Sequence, residues 1–196
     1  VNKDTEQTIN FVNSTLDTGF SIYKQREQAI EIGQYNALEN IRLTQGTSIQ
    51  DYRTIRGIEK GILDDENTTD ARVQEFKDKG YTIEQLRTIA GARQGVYELS
   101  LLNQVRSEVG LSPQKMFQTG VQVRGQPEGT TAQMLLDQGD IPGVMQAYNQ
   151  HIQGILRMAQ GANGGNRLNI AALSKDIERG RAGVMSAVSK VHQTQT

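Results

Sequence analysis

No proline occurs before Pro113, and through that stretch apolar residues return every three or four positions. They run Ile9, Val12, Leu16, Phe20 and Tyr23, continue at Ile30, Tyr35, Leu38 and Ile41, and resume at Ile49, Tyr52, Ile55, Ile58 and Leu63. This is the period of an α-helix with a narrow apolar seam. Unbroken from 4 to 63, about sixty residues at ~1.5 Å each would span ~90 Å. A rod of that length cannot bury itself on a small domain, so the pattern asks for a bundle, a coiled-coil-like seam or an oligomer. Gly19, Gly33, Gly46, Gly57 and Gly61 interrupt it. At Gly46-Thr47-Ser48 two readings stay open. Either Ser48 caps a new helix with Asp51 three residues on, or one helix runs through.

Beyond 63 the signals shorten. Residues 64–70 are a polar turn, with Thr69 or Asp70 placed to cap a helix over 70–79 that ends at Lys79-Gly80. Thr82-x-x-Gln85 has the capping-box pattern and opens a helix over 83–109, with a seam of Ile83, Leu86, Ile89, Val96, Leu99, Leu102, Val105 and Val109. Gly110 closes it, and Ser112-Pro113 starts a short helix over 113–119. Residues 120–130 read as a loop, 131–138 as helix, and Asp140-Ile141-Pro142 as the start of a helix over 142–160. The glycine-rich 161–166 is a flexible connection, followed by a last helix over 168–192. The expected fold is all-α: a long N-terminal helical arm, 1–63, and a compact multi-helix part, 64–196, with a linker at 161–166.

Composition fits thin helices. Hydrophobic residues make up 36% of the chain, Trp is absent, and 22 residues are Gln. Such a chain either folds as thin, extended helices with narrow apolar seams or finishes its core with a partner. With no cysteine, disulfides and cysteine metal sites are excluded. The net charge of −1 selects no partner by global field. The chain begins at Val1, as a processed or trimmed segment would.

Enzyme signals are sparse. His151 and His192 have no second ligand at metal-binding spacing, and no nucleophile elbow or phosphate loop occurs. Asp64, Glu66, Thr68 and Glu75 imitate a calcium loop, but Thr69 stands where the sharp turn needs glycine. Glu27 and Glu31, one helical turn apart, read as a solvated face near Lys24 and Arg26. The expectation is a non-catalytic protein with no cofactor, no metal and no small-molecule substrate.

Interaction signals are stronger. Gly57/Gly61 and Gly91/Gly95 have the Gly-xxx-Gly spacing that lets helices approach closely. Together with Leu99 and Leu102 on the most apolar helix, they are the candidate packing or oligomer interface. Arg167, Lys175, Arg179, Arg181 and Lys190 form a basic C-terminal stretch, weighed as a solvated face against contact with phosphate or anionic lipid. No aromatic residue is interleaved among them for base stacking.

The texture of residues 20–110, typified by Lys24-Gln-Arg-Glu-Gln-Ala-Ile-Glu-Ile-Gly-Gln-Tyr-Asn-Ala-Leu-Glu-Asn-Ile-Arg-Leu-Thr-Gln45, resembles the internal virion, or DNA-ejection, proteins of short-tailed bacteriophages. That resemblance implies a virion location, homo-oligomers with other proteins of the same assembly, and a channel for nucleic acid across the host envelope, with membrane contact. The chain is also similar to minor pilus-tip components of type IV secretion systems, which would place it in the bacterial periplasm or at the cell surface. The third alternative is another helical partner-binding module.

Overall fold

The computed structural model describes residues 3–195, with side chains over 21–191 and at Gln193. The protein is all-α. Its helices are α1 (Lys3–Gln45), α2 (Ile49–Arg56), α3 (Lys60–Asp64), α4 (Ala71–Asp78), α5 (Ile83–Gly91), α6 (Gln94–Gln118), α7 (Ala132–Asp137), α8 (Ile141–Ala162) and, after a 3₁₀ turn at Ile170–Leu173, α9 (Ser174–Gln195).

The helix ends follow local chemistry. α1 stops where Gly46 turns left-handed at φ +63°, and Thr47 N–H reaches back to the Arg42 carbonyl at 3.1 Å. Ser48 then caps α2 in a reciprocal box with Asp51. The break at 46 is therefore real. Asp70 caps α4, Thr82 and Gln85 form the second capping box at α5, and Asp140 caps α8. In the acidic turn Asp65 accepts from Asn67 N–H, and Asp70 pairs with Arg72 at 3.1 Å, which makes it an interhelix turn.

Four expectations are corrected. The segment 1–63 is not one arm: α2 packs on α5, α6 and α8 and buries Tyr52 and Ile55, and α1 joins the core at Leu38 and Ile41. The helix expected over 83–109 is two. Ala92 and Arg93 adopt extended backbone because Arg56, from α2, donates to the carbonyls of Ile89, Ala90 and Ala92 at the end of α5. Conversely, Gly110 and Ser112-Pro113 end nothing. α6 runs through them, since Val109 and Met116 on either side are buried in one core and outweigh the ~3 kcal/mol cost of an internal proline. Nor is 161–166 a linker. α8 extends to Ala162, Asn163 is buried, and Gln160 donates to the carbonyls of Gly165 and Asn166.

With no Trp, tyrosines join the helices. Tyr52 of α2 shares a 2.6 Å hydrogen bond with Ser100 of α6. Tyr97 of α6 donates to the Ala162 carbonyl of α8 at 2.8 Å. Tyr148 of α8 donates to the Ile177 carbonyl of α9 at 2.7 Å. Each ring is buried and each hydroxyl has a partner, as burial demands. Tyr52 and Tyr97 also meet edge to face, with centroids 5.6 Å apart. α6 is thus the hub, touching α1, α2, α7, α8 and α9.

Candidate functional site

The seam of α1 does not end where the body ends. At about 100° per residue, Tyr23, Ile30, Leu38 and Ile41 fall within one narrow arc of the helix, with Glu27 and Gln34 between them. Leu38 and Ile41 are 0% and 5% exposed, packed in the core. Ile30 and Tyr23, in the same register, are 46% and 60% exposed. Ile9, Val12, Leu16 and Phe20 continue that register, and their side chains lie outside the described residues.

Arg93 marks the edge. Its extended backbone at the α5–α6 break points its N–H at Gln34 Oε1, 3.1 Å away, and its guanidinium at Glu27, with Glu31 at 3.6 Å. Those carboxylates hold the guanidinium above its ordinary pKa, the Glu27 hydrogen bond first. The pair read as a solvated face is therefore an ion-pair clasp. N-terminal to Glu27 the backbone stays helical back to Lys3, about 36 Å at 1.5 Å per residue. Residues 21–33 are exposed except for Glu27.

Next to the clasp lies an apolar face. Leu99 points outward, 48% exposed, where its neighbour Leu101 is fully buried. The expected seam through Leu99 is thus shifted: α6 buries Val96, Tyr97, Ser100, Leu101, Gln104 and Val105 instead. Leu99 stands as a ridge between two shallow clefts. One, of about 270 Å³, includes Ile32, Tyr35, Val96 and Gly95; the other, of about 210 Å³, includes Gly95, Leu102 and Leu168. Gly95 opens the floor of both.

The structure thus gathers Gly95, Leu99 and Leu102 on one surface and separates the rest. Gly91 lines a cleft with Ile58 and Leu63, Gly57 lines another with Arg53, Tyr97 and Asn163, and Gly61 is exposed on α3. Among the described residues no helix packs across these glycines. A Cβ at Gly61, Gly91 or Gly95 would meet nothing within 4 Å, and at Gly57 only the carbonyls of its own turn at 3.5 Å. The close approach occurs at Gly180 instead, where a Cβ would overlap the Tyr148 hydroxyl.

The basic stretch is divided too. Lys175, Arg179 and Lys190 share the exposed face of α9, opposite buried Val184 and Val188. Arg179 lies 3.9 Å from Asp176, and Arg181, on another face, donates to Asn149 at 3.2 Å. Arg167 is exposed in the preceding turn. Among the described residues no group of three His, Asp or Glu is placed to hold a metal. No described helix is long and apolar enough to cross a membrane.

Sequence reasoning placed Tyr35 in the α1 seam but missed Arg93 and Ile32 beside it. Their pattern carries no signal, because the contact joins residues about sixty positions apart.

These features define a helical body that carries one partly unpacked helix. No family model, no curated protein and no solved structure matches the chain.

Proposed function

We propose that this chain is a non-catalytic assembly protein whose body presents the α1 arm and the Leu99 face to further helices, first of all those of its own copies. One observation carries the reading. A single helical seam passes from full burial at Leu38 to 60% exposure at Tyr23 with no change of register. A one-sided apolar stripe at helical spacing is what a partner helix recognises. The buried tyrosine hydroxyls support a structural role: those of Tyr52, Tyr97 and Tyr148 bond helix to helix, and that of Tyr81 joins two interhelix connections through Thr47. Within this class, the resemblance over residues 20–110 supports a virion setting, where joined copies form part of a DNA-ejection channel.

The test is solution mass by light scattering over a range of concentrations, with and without liposomes, for the wild type and for Tyr23→Asp/Ile30→Asp. Both side chains are exposed, so the body stays folded. Expected is a discrete oligomer that the double variant loses. A ring or tube recruited to liposomes supports the ejection setting. A wild type that stays monomeric at every concentration sinks self-assembly, and indifference to lipid shifts the setting to a tip adaptor of a secretion pilus.

A further inference from the structure

A cleft of about 260 Å³ lies between α8, the end of α6 and the loop that joins α6 to α7. It shares no residue with the α1 seam or the Leu99 face. Its lining includes buried Met116, Val123 and Ile155. Arg124 and Arg157 also line it, both exposed and neither in an ion pair among the described residues. His151 completes the lining. Its Nδ1 is the one buried side-chain polar atom without a hydrogen-bond partner among the described residues. That nitrogen is sealed from solvent, so the face of the ring it does not occupy is the part that lines the cleft.

The cleft is preformed. From α8, Gln150 accepts from Arg124 N–H at 2.9 Å and donates to the Gln122 carbonyl at 2.9 Å, while Gln146 donates to the Arg124 carbonyl at 2.8 Å. These clasps hold the loop that carries Val123 and Arg124, so a ligand does not bear the cost of ordering it. Burial keeps the imidazole below its ordinary pKa, with Lys115 adding to that and Glu108 opposing it. The ring is therefore neutral at pH 7, with one N–H to donate.

We infer that this cleft binds an aliphatic carboxylate, its chain on Met116, Val123 and Ile155 and its anionic head toward Arg124 and Arg157, beside His151. Two unpaired guanidiniums select a negative charge and suit the planar carboxylate fork. The apolar lining selects an alkyl tail. The volume, just under the ~300 Å³ where drug-sized sites begin, selects a short one. A free short fatty acid and the C-terminal residue of a peptide share this chemistry.

Octanoate titrated into the full chain is the test, followed by calorimetry and by the imidazole nitrogen resonances of His151. Expected are saturable binding at about 0.1–1 mM, a shift of those resonances, and at least a ~10-fold loss in Arg124→Ala/Arg157→Ala with unchanged helicity. A short peptide ending in leucine, compared with its amidated twin, forms the second arm. Binding of octanoate alone assigns the site to a fatty acid, and binding of the free-acid peptide assigns it to a chain terminus. Octanol binding as tightly as octanoate, undiminished binding by the double variant, or no carboxylate binding up to about 10 mM overturns the inference.

Discussion

Tyr52 and Tyr97 show at the scale of single residues how a core without Trp is held. Burial pushes the Tyr52 phenol from 10.0 to about 12, against the opposing Ser100 hydrogen bond, and it raises Tyr97 against the opposing charge of Arg56. Both folded values lie above the unfolded one. The neutral phenols therefore contribute stability that is complete below about pH 10 and is lost as pH climbs toward 12 and beyond. Urea midpoints should hold up to about pH 10 and fall above it, and Tyr52→Phe should flatten that fall; a pH-independent midpoint would refute the linkage. Ser100→Ala leaves a buried hydroxyl unpaired and should cost about 1–3 kcal/mol in the same assay. Arg56 is the other residue on which much depends. It donates to three carbonyls and to Gln94, and it lies 4.2 Å over the Tyr97 ring. Arg56→Lys keeps the charge and loses the planar fork, so a loss of about 2 kcal/mol is expected in urea unfolding.

Among helices, glycine and glutamine have roles that spacing alone does not reveal. Gly61 and Gly95 have open space about them and no positive φ, so alanine there should raise the melting temperature, by up to about 1 kcal/mol in stability. Gly180→Ala should lower it by about 1–3 kcal/mol, since Tyr148 must move and its bond to Ile177 is disturbed. Equal effects at all three sites would refute this packing. The glutamines, first read as a mark of thin helices, staple loops to helices. Gln45 reaches Gly80 and Gln85, Gln122 gathers its own loop, Gln146 and Gln150 clasp that loop to α8, and Gln160 closes the turn before α9. The capping boxes at Ser48 and Thr82 were legible because a cap is a contact within four residues. The break at 92–93 was not legible, because its cause is Arg56, more than thirty residues away.

For the whole molecule, folding and assembly separate at neighbouring positions of α6. Leu101→Asp buries an unpaired charge in the core and should abolish cooperative melting. Leu99→Asp places its charge on an exposed ridge and should leave the melt within about 0.5 kcal/mol while weakening self-association. Circular dichroism melts paired with light scattering separate the two. If Leu99→Asp melts like Leu101→Asp, the outward face of α6 is misassigned.

The chain's pattern by itself determined that the protein is helical, where most helices begin, and that one seam runs the length of α1. Those properties rest on residues within a few positions of one another: caps, left-handed glycines and the 3.6-residue period. Tertiary structure alone decided where that seam stops being buried, that Pro113 lies inside a helix, and which of Leu99 and Leu101 faces the core. It also placed Arg124, Arg157 and His151 around one cleft. These outcomes come from packing between distant segments, where burial of Val109 and Met116 outweighs a proline and Arg56 ends a helix it does not belong to.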